Sequence, residues 1–250
     1  MLEKDEKHSS VICGKNPVLE ALRSGREIDR LLVAHGAESG SIREIIAKCS
    51  KKGILIKDVS PQKLDFYCGG ANHQGVAVMF ASHEYSSIEE ILSAANDKGE
   101  DPFIIICDEI EDPHNLGAII RTAEVCGVHG IIIPKRRSAS LNATVSKTSA
   151  GALEYMRVAR VTNIAAAIDE LKNKGVWVVG ADMAGEDYRQ TDYRLPCALV
   201  IGNEGKGIGQ LVAKKCDKII SLPMRGKINS LNASVAAGIL MYKVMEYRNQ

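Results

Sequence analysis

Short, continuously apolar segments recur through the second half of the chain, and they constrain its fold more than any other feature. Examples are Phe103–Cys107, Gly130–Ile133, Val176–Gly180 and Cys197–Ile201. Segments of this length without polar alternation are typical of strands buried on both faces. Because helical patterns separate them, we predict an α/β fold whose mostly parallel sheet is covered by helices on both sides. Ligands of such sheets bind at the carboxyl ends of the strands, so the loops that follow those ends are candidate sites.

The first half of the chain shows a smaller alternation of helical and strand patterns, which ends in an apolar strand just before residue 82. A short amphipathic helix follows, where Ser86 and Glu89 match the spacing of a capping box, and a polar segment with glycine and proline comes after it. Such a change of composition marks a domain boundary. We therefore expect a disordered tail, a first domain, a linker and a second domain at residues 1–10, 11–82, 83–101 and 102–250.

Composition excludes several classes of protein. The net charge of the 250 residues is only +1, so any contact with nucleic acid must come from local basic patches. The first ten residues have no apolar core, which argues against a signal peptide, and no apolar run is long enough to span a membrane. The seven cysteines form no C-x-x-C pair, and the histidines show no metal-ligand spacing. We expect a cytoplasmic protein with free thiols and no metal.

A glycine-rich turn follows the apolar strand Cys197–Ile201. Its four glycines lie within eight residues, at Gly202, Gly205, Gly207 and Gly209. Glycine permits positive φ angles and a close approach of the backbone to a ligand. The two common nucleotide fingerprints do not fit, because Lys206 is followed by glycine instead of serine or threonine, and Gln210 stands where G-x-G-x-x-G needs its third glycine. The pattern therefore indicates a ligand loop without naming the ligand.

A second loop with polar residues comes after the next short strand, Ile219–Leu222. Ser230 or Asn232 can cap the long helix that follows it. The apolar stripe of this helix is predicted to contain Leu231, Val235, Ile239 and Tyr242. Because this loop and the glycine-rich turn both follow parallel strands, we expect their polar side chains, with Asn203 and Glu204 in the turn, to meet at one pocket.

Cations follow two other strands, and each has two interpretations. Arg121 lies among apolar residues on a helix that Asn115 can cap. It is either a solvated charge paired with Glu124 or a functional group at the edge of an apolar face. The turn Lys135–Arg137 follows the strand that ends at Ile133. Three adjacent cations can bind phosphate there, but a solvated basic turn fits the pattern equally well.

These residues form three motifs that resemble those of the SpoU (TrmH) family of RNA ribose 2′-O-methyltransferases. The motifs are Asn115-x5-Arg121, the sequence LVIGNEGKG from Leu199 to Gly207, and LPM from Leu222 followed by SLNAS from Ser230 to Ser234. All three lie at predicted strand ends, in the order of the family. The segments GKNPVLEAL from Gly14 and HQGV from His73 are similar to the RlmB-type branch, which methylates 23S ribosomal RNA.

The resemblance implies features that the patterns alone do not. It implies a SPOUT α/β domain with a deep trefoil knot, a small N-terminal L30e-like domain that binds the RNA substrate, and a homodimer with the site close to the subunit interface. It also implies that S-adenosylmethionine is the methyl donor. The positions carried over to the cofactor are Ile201, Gly202, Asn203, Leu222, Met224 and Leu231. Those around the reacting ribose are Asn115, Arg121, Glu204, Ser230 and Asn232, and we expect RNA phosphates at Lys135, Arg136 and Arg137.

Three questions stay open at this point. The methylated substrate is either a guanosine of 23S ribosomal RNA or a nucleotide of transfer RNA. The chain is either an enzyme or a non-catalytic factor that binds ribosomal RNA during assembly, although intact Arg121, Glu204 and Asn232 favour the enzyme. Arg121 is either a base or an electrostatic stabiliser of the 2′-oxyanion, and a guanidinium pKa above about 12 favours the second role. The failed fingerprint disfavours a Rossmann-type dehydrogenase.

Overall fold

The computed structural model describes residues 11–227 and 230–248, and the chain divides into two compact units, Met1–Glu84 and Tyr85–Gln250. Each unit has its own sheet and its own apolar cores. The tail expected at residues 1–10 lies outside the described residues. Within the described ranges, no helix has the length and apolar character needed to cross a membrane.

The first unit contains a four-stranded sheet with the order β1-β4-β2-β3. Its strands are β1 (Val11–Cys13), β2 (Ile28–Ala34), β3 (Leu55–Val59) and β4 (Val76–Phe80), and its helices are α1 (Lys15–Arg23), α2 (Gly40–Lys51) and α3 (Pro61–Cys68). Strands β2 and β3 are parallel, whereas β4 runs antiparallel to both of its neighbours. The sequence analysis does not include β1, because three residues are too few for a periodic pattern.

Two cysteines of this unit form a disulfide, so the expectation of free thiols throughout is wrong for this pair. Cys13 ends β1 and Cys68 ends α3, with their Cα atoms 6.1 Å apart. The two residues are 55 positions apart in sequence, and only the fold brings them together. The other cysteines are free thiols, at Cys49, Cys107, Cys126, Cys197 and Cys216.

The second unit contains a six-stranded sheet with the order β10-β8-β9-β5-β6-β7, in which all pairs are parallel. Its strands are β5 (Phe103–Cys107), β6 (Gly130–Pro134), β7 (Val158–Val161), β8 (Trp177–Asp187), β9 (Cys197–Ile201) and β10 (Lys218–Ser221). Its helices are α4 (Ile88–Lys98), α5 (Pro113–Val125), α6 (Ala143–Thr148), α7 (Ile164–Asn173), α8 (Gln210–Lys215) and α9 (Ala233–Arg248). Separate cores cover the two faces, which confirms the predicted parallel sheet between two helix layers.

Helix α4 packs into the second unit, although its residues fall within the expected linker. Ile91 of α4 is fully buried in the same core as Ile104 of β5. The capping box lies one position later than expected: the Ser87 side chain accepts the Glu90 N–H, and the Glu90 side chain accepts the Ser87 N–H. Residues from Tyr85 onward therefore belong structurally with the sheet of the second unit.

Two elements that lead to the candidate site extend further than the sequence analysis expects. Helix α5 begins at Pro113, capped by Asp112, whose side chain accepts the His114 N–H at 2.9 Å. Asn115 therefore lies inside the first turn of the helix and is not its cap. Strand β8 continues beyond the expected end at Gly180, because its last residues pair with β10 across a bulge.

Helix α9 is capped by Asn232, whose side-chain oxygen accepts the N–H groups of Ser234 and Val235 at 3.0 and 3.3 Å. The predicted apolar stripe is wrong as a core face. Val235, Ile239 and Tyr242 are 49, 38 and 50% exposed, and the buried residues are Ala233, Ala237, Leu240, Met241 and Val244. Since apolar residues occur on both sides of the helix, periodicity could not decide which side faces the core.

Candidate active site

Three neighbouring strands bring the candidate loops to one edge of the sheet. Ile201, the last residue of β9, pairs with Cys107 of β5 on one side and with Ala181 of β8 on the other. Because the strands are parallel, these paired positions lie at one level along this edge, where β5 and β9 end and β8 continues. The first residues beyond these paired positions are Asp108, Asp182 and Gly202.

The glycine-rich turn closes on itself through Asn203 and Gly207, each of which donates its N–H to the carbonyl oxygen of the other, at 3.0 and 2.8 Å. Gly207 has a φ of +66°. A Cβ on Gly202 would lie 2.3 Å from the carbonyl carbon and oxygen of Gly207. A larger residue at either position would strain or displace the backbone. At Gly205, by contrast, a Cβ would meet only the Asn203 side chain, at 3.6 Å.

The loop after β5 anchors this turn. The Asp108 carboxylate accepts the Gly209 N–H at 2.8 Å, and the Asn203 side-chain amide donates to the carbonyl oxygen of Glu109 at 3.2 Å. Asp108 is buried, and burial raises the pKa of its carboxyl, opposed by the hydrogen bond from Gly209. Glu109 has a φ of +59°, in the left-handed region that non-glycine residues seldom adopt. The two loops are therefore fixed to each other by backbone and side-chain bonds.

Strand β8, the loops after β9 and β10, and helix α9 enclose a cavity of about 170 Å³. It is lined by the six residues predicted for the cofactor, Ile201, Gly202, Asn203, Leu222, Met224 and Leu231. Glu204 and Ser230 line it as well. The sequence analysis missed Asp182 and Met183, because it ended β8 at Gly180, and it missed Ala236 and Leu240 because it placed other residues on the inner face of α9.

Asn115, Glu204 and Asn232 form a hydrogen-bonded cluster beside this cavity. The Asn115 side-chain amide donates to Oε1 of Glu204 at 2.8 Å, and the Asn232 amide donates to the same oxygen at 2.5 Å. The Asn232 amide also donates to the side-chain oxygen of Asn115 at 2.9 Å. The backbone N–H of Ala233 is a third donor to Oε1, at 3.2 Å. Three sequence motifs are thus joined at one carboxylate oxygen.

Arg121 lies outside this cluster. It is six residues after Asn115 on α5, which turns its side chain about 120° away around the helix axis. The side chain is exposed, and in the described ranges no hydrogen bond or ion pair involves it, so the pairing with Glu124 is not formed there. The structure therefore brings together four of the five residues predicted around the ribose, with Ser230 joined through the cavity lining.

The three cations of the basic turn differ in their ion pairing and exposure. The Arg137 guanidinium donates to the Glu109 carboxylate at 2.7 Å, and both residues have left-handed φ angles, +54° and +59°. Arg136 is exposed and forms no ion pair with a described residue, whereas Lys135 is half-buried. Arg136 is consequently the exposed cation of this turn that has no ion pair with a described residue.

Comparison with known proteins gives the family. The sequence-family model described as the SpoU rRNA Methylase family matches residues 102–242. This chain belongs to that family. The model described as RNA 2′-O ribose methyltransferase substrate binding matches residues 11–86. Among relatives of this SpoU methylase, the TrmH-family tRNA/rRNA methyltransferase YacO of Bacillus subtilis (strain 168) is 51% identical, over 98% of each chain.

Solved structures resemble the SpoU methylase over different extents. An AdoMet-bound rRNA methyltransferase from Sinorhizobium meliloti is 25% identical, with a TM-score of 0.59, and covers 95% of this chain and 87% of its own. A TrmH/SpoU tRNA modifying enzyme from A. aeolicus is 29% identical, with a TM-score of 0.56, and covers 60% of this chain and 77% of its own. Together with the family match, these findings make the protein an S-adenosylmethionine-dependent RNA methyltransferase.

The cavity fits this cofactor by its own geometry. Gly202, Gly205 and Gly207 of the glycine-rich turn line the cavity, and their lack of side chains lets a ligand approach the backbone closely. Leu222, Leu231 and Leu240 line the cavity with apolar surface, which suits an adenine ring. These residues would hold the cofactor, and Glu204 lines the same cavity with the acceptor cluster attached to it.

Proposed function

We propose that this SpoU methylase transfers the methyl group of S-adenosylmethionine to a ribose 2′-hydroxyl, and that its target is a guanosine of 23S ribosomal RNA. The Asn115–Glu204–Asn232 cluster carries the proposal, because it holds polar groups from three motifs in fixed positions beside the cofactor cavity. The match of residues 11–86 to a substrate-binding model of RNA 2′-O ribose methyltransferases supports ribose as the acceptor.

The extent of the structural matches supports ribosomal RNA over transfer RNA. The rRNA methyltransferase from Sinorhizobium meliloti matches 95% of this chain, whereas the tRNA modifying enzyme from A. aeolicus matches 60%. The first unit accounts for about a third of the chain. A chain with this additional unit can contact more of a large RNA than the catalytic unit alone. Proteins that recognise RNA by sequence mostly bind unstacked loops, and a second unit can bind RNA next to such a loop.

When bound, the cofactor would supply a methyl group on a positively charged sulfur, so that the 2′-oxygen would attack the methyl carbon in line with the S–C bond that breaks. The residues of the cluster then have to orient the ribose, because alignment of the reacting groups lowers the barrier of such a transfer. The three donors to Glu204 converge on Oε1, and in the described ranges no donor reaches Oε2. We assign Oε2 of Glu204 to the 2′-hydroxyl: it accepts the hydrogen bond from the 2′-O–H and takes the proton that leaves when the 2′-oxygen is methylated. Ser230 lines the same cavity.

Arg121 is proposed to stabilise the negative charge that develops on the 2′-oxygen, together with a neighbouring RNA phosphate. A guanidinium has five N–H donors in a fixed fork and a pKa above about 12, so it donates well and rarely acts as a base. Its exposure leaves it available to RNA. Lys135, Arg136 and Arg137 are proposed to contact RNA phosphates. Among them, Arg136 is exposed and has no ion pair with a described residue.

We also propose a homodimer in the cytoplasm. Val235, Ile239 and Tyr242 lie at helical spacing on the outer side of α9 and form an exposed apolar stripe. Exposed apolar stripes of this kind are typical of protein–protein interfaces. The substitution Ile239→Glu should lower the dimer fraction in sedimentation velocity, and an unchanged dimer would contradict this interface. The trefoil knot and the L30e-like character of the first unit stay predictions.

Mapping of 2′-O-methyl sites tests the proposed target. Ribosomal and transfer RNA from a deletion strain, with and without the restored protein, should differ at one guanosine of 23S RNA by primer extension at low nucleotide concentration. If the deletion strain instead lacks a 2′-O-methyl site in transfer RNA, the substrate is transfer RNA. If neither RNA changes and purified protein moves no labelled methyl group onto unmodified RNA, the proposal of a non-catalytic assembly factor replaces it.

A further inference from the structure

Asp182 is a carboxylate of the cofactor cavity for which the chemistry above gives no role. It follows Ala181, which pairs with Ile201, and therefore lies beside the start of the glycine-rich turn. Strand β8, which carries Asp182, lies between β9 and β10 in the sheet. The loops after those two strands contain Gly202 and Leu222, which line the cavity on either side of it.

The two oxygens of Asp182 differ in their surroundings. Oδ1 accepts the Ala184 N–H at 3.1 Å, which fixes the orientation of the side chain. Oδ2 lies 2.7 Å from the position that a Cβ of Gly207 would occupy, so the absence of a side chain at Gly207 gives it room. In the described ranges no donor reaches Oδ2. An ionised carboxylate can accept about four hydrogen bonds, and this one has most of that capacity unused.

We propose that Oδ2 of Asp182 accepts hydrogen bonds from the ribose hydroxyls of S-adenosylmethionine. The apolar lining at Leu222, Leu231 and Leu240 suits the adenine ring, and the cluster at Glu204 marks the end at which the methyl group leaves. The ribose joins adenine to sulfur and must lie between these ends. Oε2 of Glu204 is assigned to the acceptor 2′-hydroxyl, and Oε1 already has three donors, which leaves Oδ2 of Asp182 as the open carboxylate oxygen for the cofactor. The assignment rests on the cofactor of the family and is independent of the RNA target.

Isothermal titration with two ligands tests the assignment without catalysis. S-adenosylhomocysteine carries the whole framework, whereas 5′-methylthioadenosine keeps the ribose and lacks the amino-acid part. Asp182→Asn keeps the size of the side chain and an acceptor for Ala184, so it should leave the melting temperature nearly unchanged. It should weaken both ligands by about tenfold or more, the usual loss for a hydrogen bond to a charged group. The matched control Asp192→Asn, an exposed residue paired with Arg194, should bind both within about twofold of wild type.

A ligand change gives a second test, and its first measurement uses the wild-type protein alone. The 2′-deoxy form of 5′-methylthioadenosine should bind wild type about tenfold more weakly than the parent, and Asp182→Asn should bind the two forms almost equally. Weakening of S-adenosylhomocysteine alone would assign Asp182 to the amino group and overturn the ribose assignment. Unchanged affinity for both ligands, or an equal 2′-deoxy loss in wild type and variant, would overturn it as well.

Discussion

The Asn115–Glu204–Asn232 cluster and Arg121 belong to one proposed site, but the fold holds them in opposite ways. The members of the cluster are joined by hydrogen bonds of 2.5 to 2.9 Å, whereas Arg121 is exposed and has no bonded partner in the described part of the chain. Groups held in a network are oriented before the substrate arrives, and an exposed side chain loses conformational entropy only when the substrate orders it. We infer that the cluster supplies geometry and that Arg121 supplies charge after RNA has bound.

The largest effect is expected from removing the charge. Arg121→Ala should lower methyl transfer by about 1000-fold, since loss of one group that stabilises a developing oxyanion costs about 100- to 1000-fold. Single-turnover transfer of a labelled methyl group measures it. Affinity for S-adenosylhomocysteine should stay within about twofold, because Arg121 does not line the cofactor cavity. Arg121→Lys keeps the charge without the fork and should lie between the two. Full activity of the alanine variant would contradict the role assigned to Arg121.

Removing the geometry should have a somewhat smaller effect. Glu204→Ala removes the acceptor of three hydrogen bonds and should lower transfer by about 100-fold, with Asn115 and Asn232 left unpaired. Glu204→Gln keeps Oε1 as an acceptor, but it replaces the open Oε2 by an amide and removes the charge. If Oε2 accepts the 2′-hydroxyl, this variant should be nearly as impaired as alanine. Activity of Glu204→Gln close to wild type would limit Glu204 to a structural role.

The strands that lead to the site and the contacts within the cluster also differ in how far the sequence could predict them. The strands Phe103–Cys107 and Cys197–Ile201 carry a local signature, because burial on both faces leaves continuous apolar runs. The contact between Asn115 and Glu204 joins residues 89 positions apart, and periodicity contains no information about it. The resemblance of the motifs supplied this pairing, as sequence patterns could not.

The residues and contacts that the sequence did not predict have physical reasons of the same kind. Asp182 was overlooked because β8 continues past a glycine through a bulge that pairs with β10, and this pairing depends on the tertiary fold. The inner face of α9 was misassigned because alanines form much of it, while the larger Val235 and Ile239 point outward. The Cys13–Cys68 pair depends on the meeting of β1 and α3, which no spacing in the sequence announces.

A pair of glycine variants tests whether the fixed geometry of the cluster extends to the cofactor turn. Gly202→Ala places a Cβ 2.3 Å from backbone atoms of Gly207 and should weaken S-adenosylhomocysteine by about tenfold or more, because the turn must open. Gly205→Ala is the matched control, since its Cβ meets only the Asn203 side chain at 3.6 Å, and it should bind within about twofold of wild type. Equal affinities of the two variants in titration calorimetry would show that the turn is not rigid.

The smallest effect is expected where charge is already paired. Arg136→Ala should reduce the slope of log affinity against log salt by about one, as the loss of a single phosphate contact does. Arg137→Ala should change the slope less, because its guanidinium already bonds the Glu109 carboxylate at 2.7 Å. Glu109→Gln should then release Arg137 and raise RNA affinity at low salt. Filter binding of a 23S fragment across a salt series measures all three, and equal slopes for the two arginine variants would mean that the ion pair opens freely to RNA.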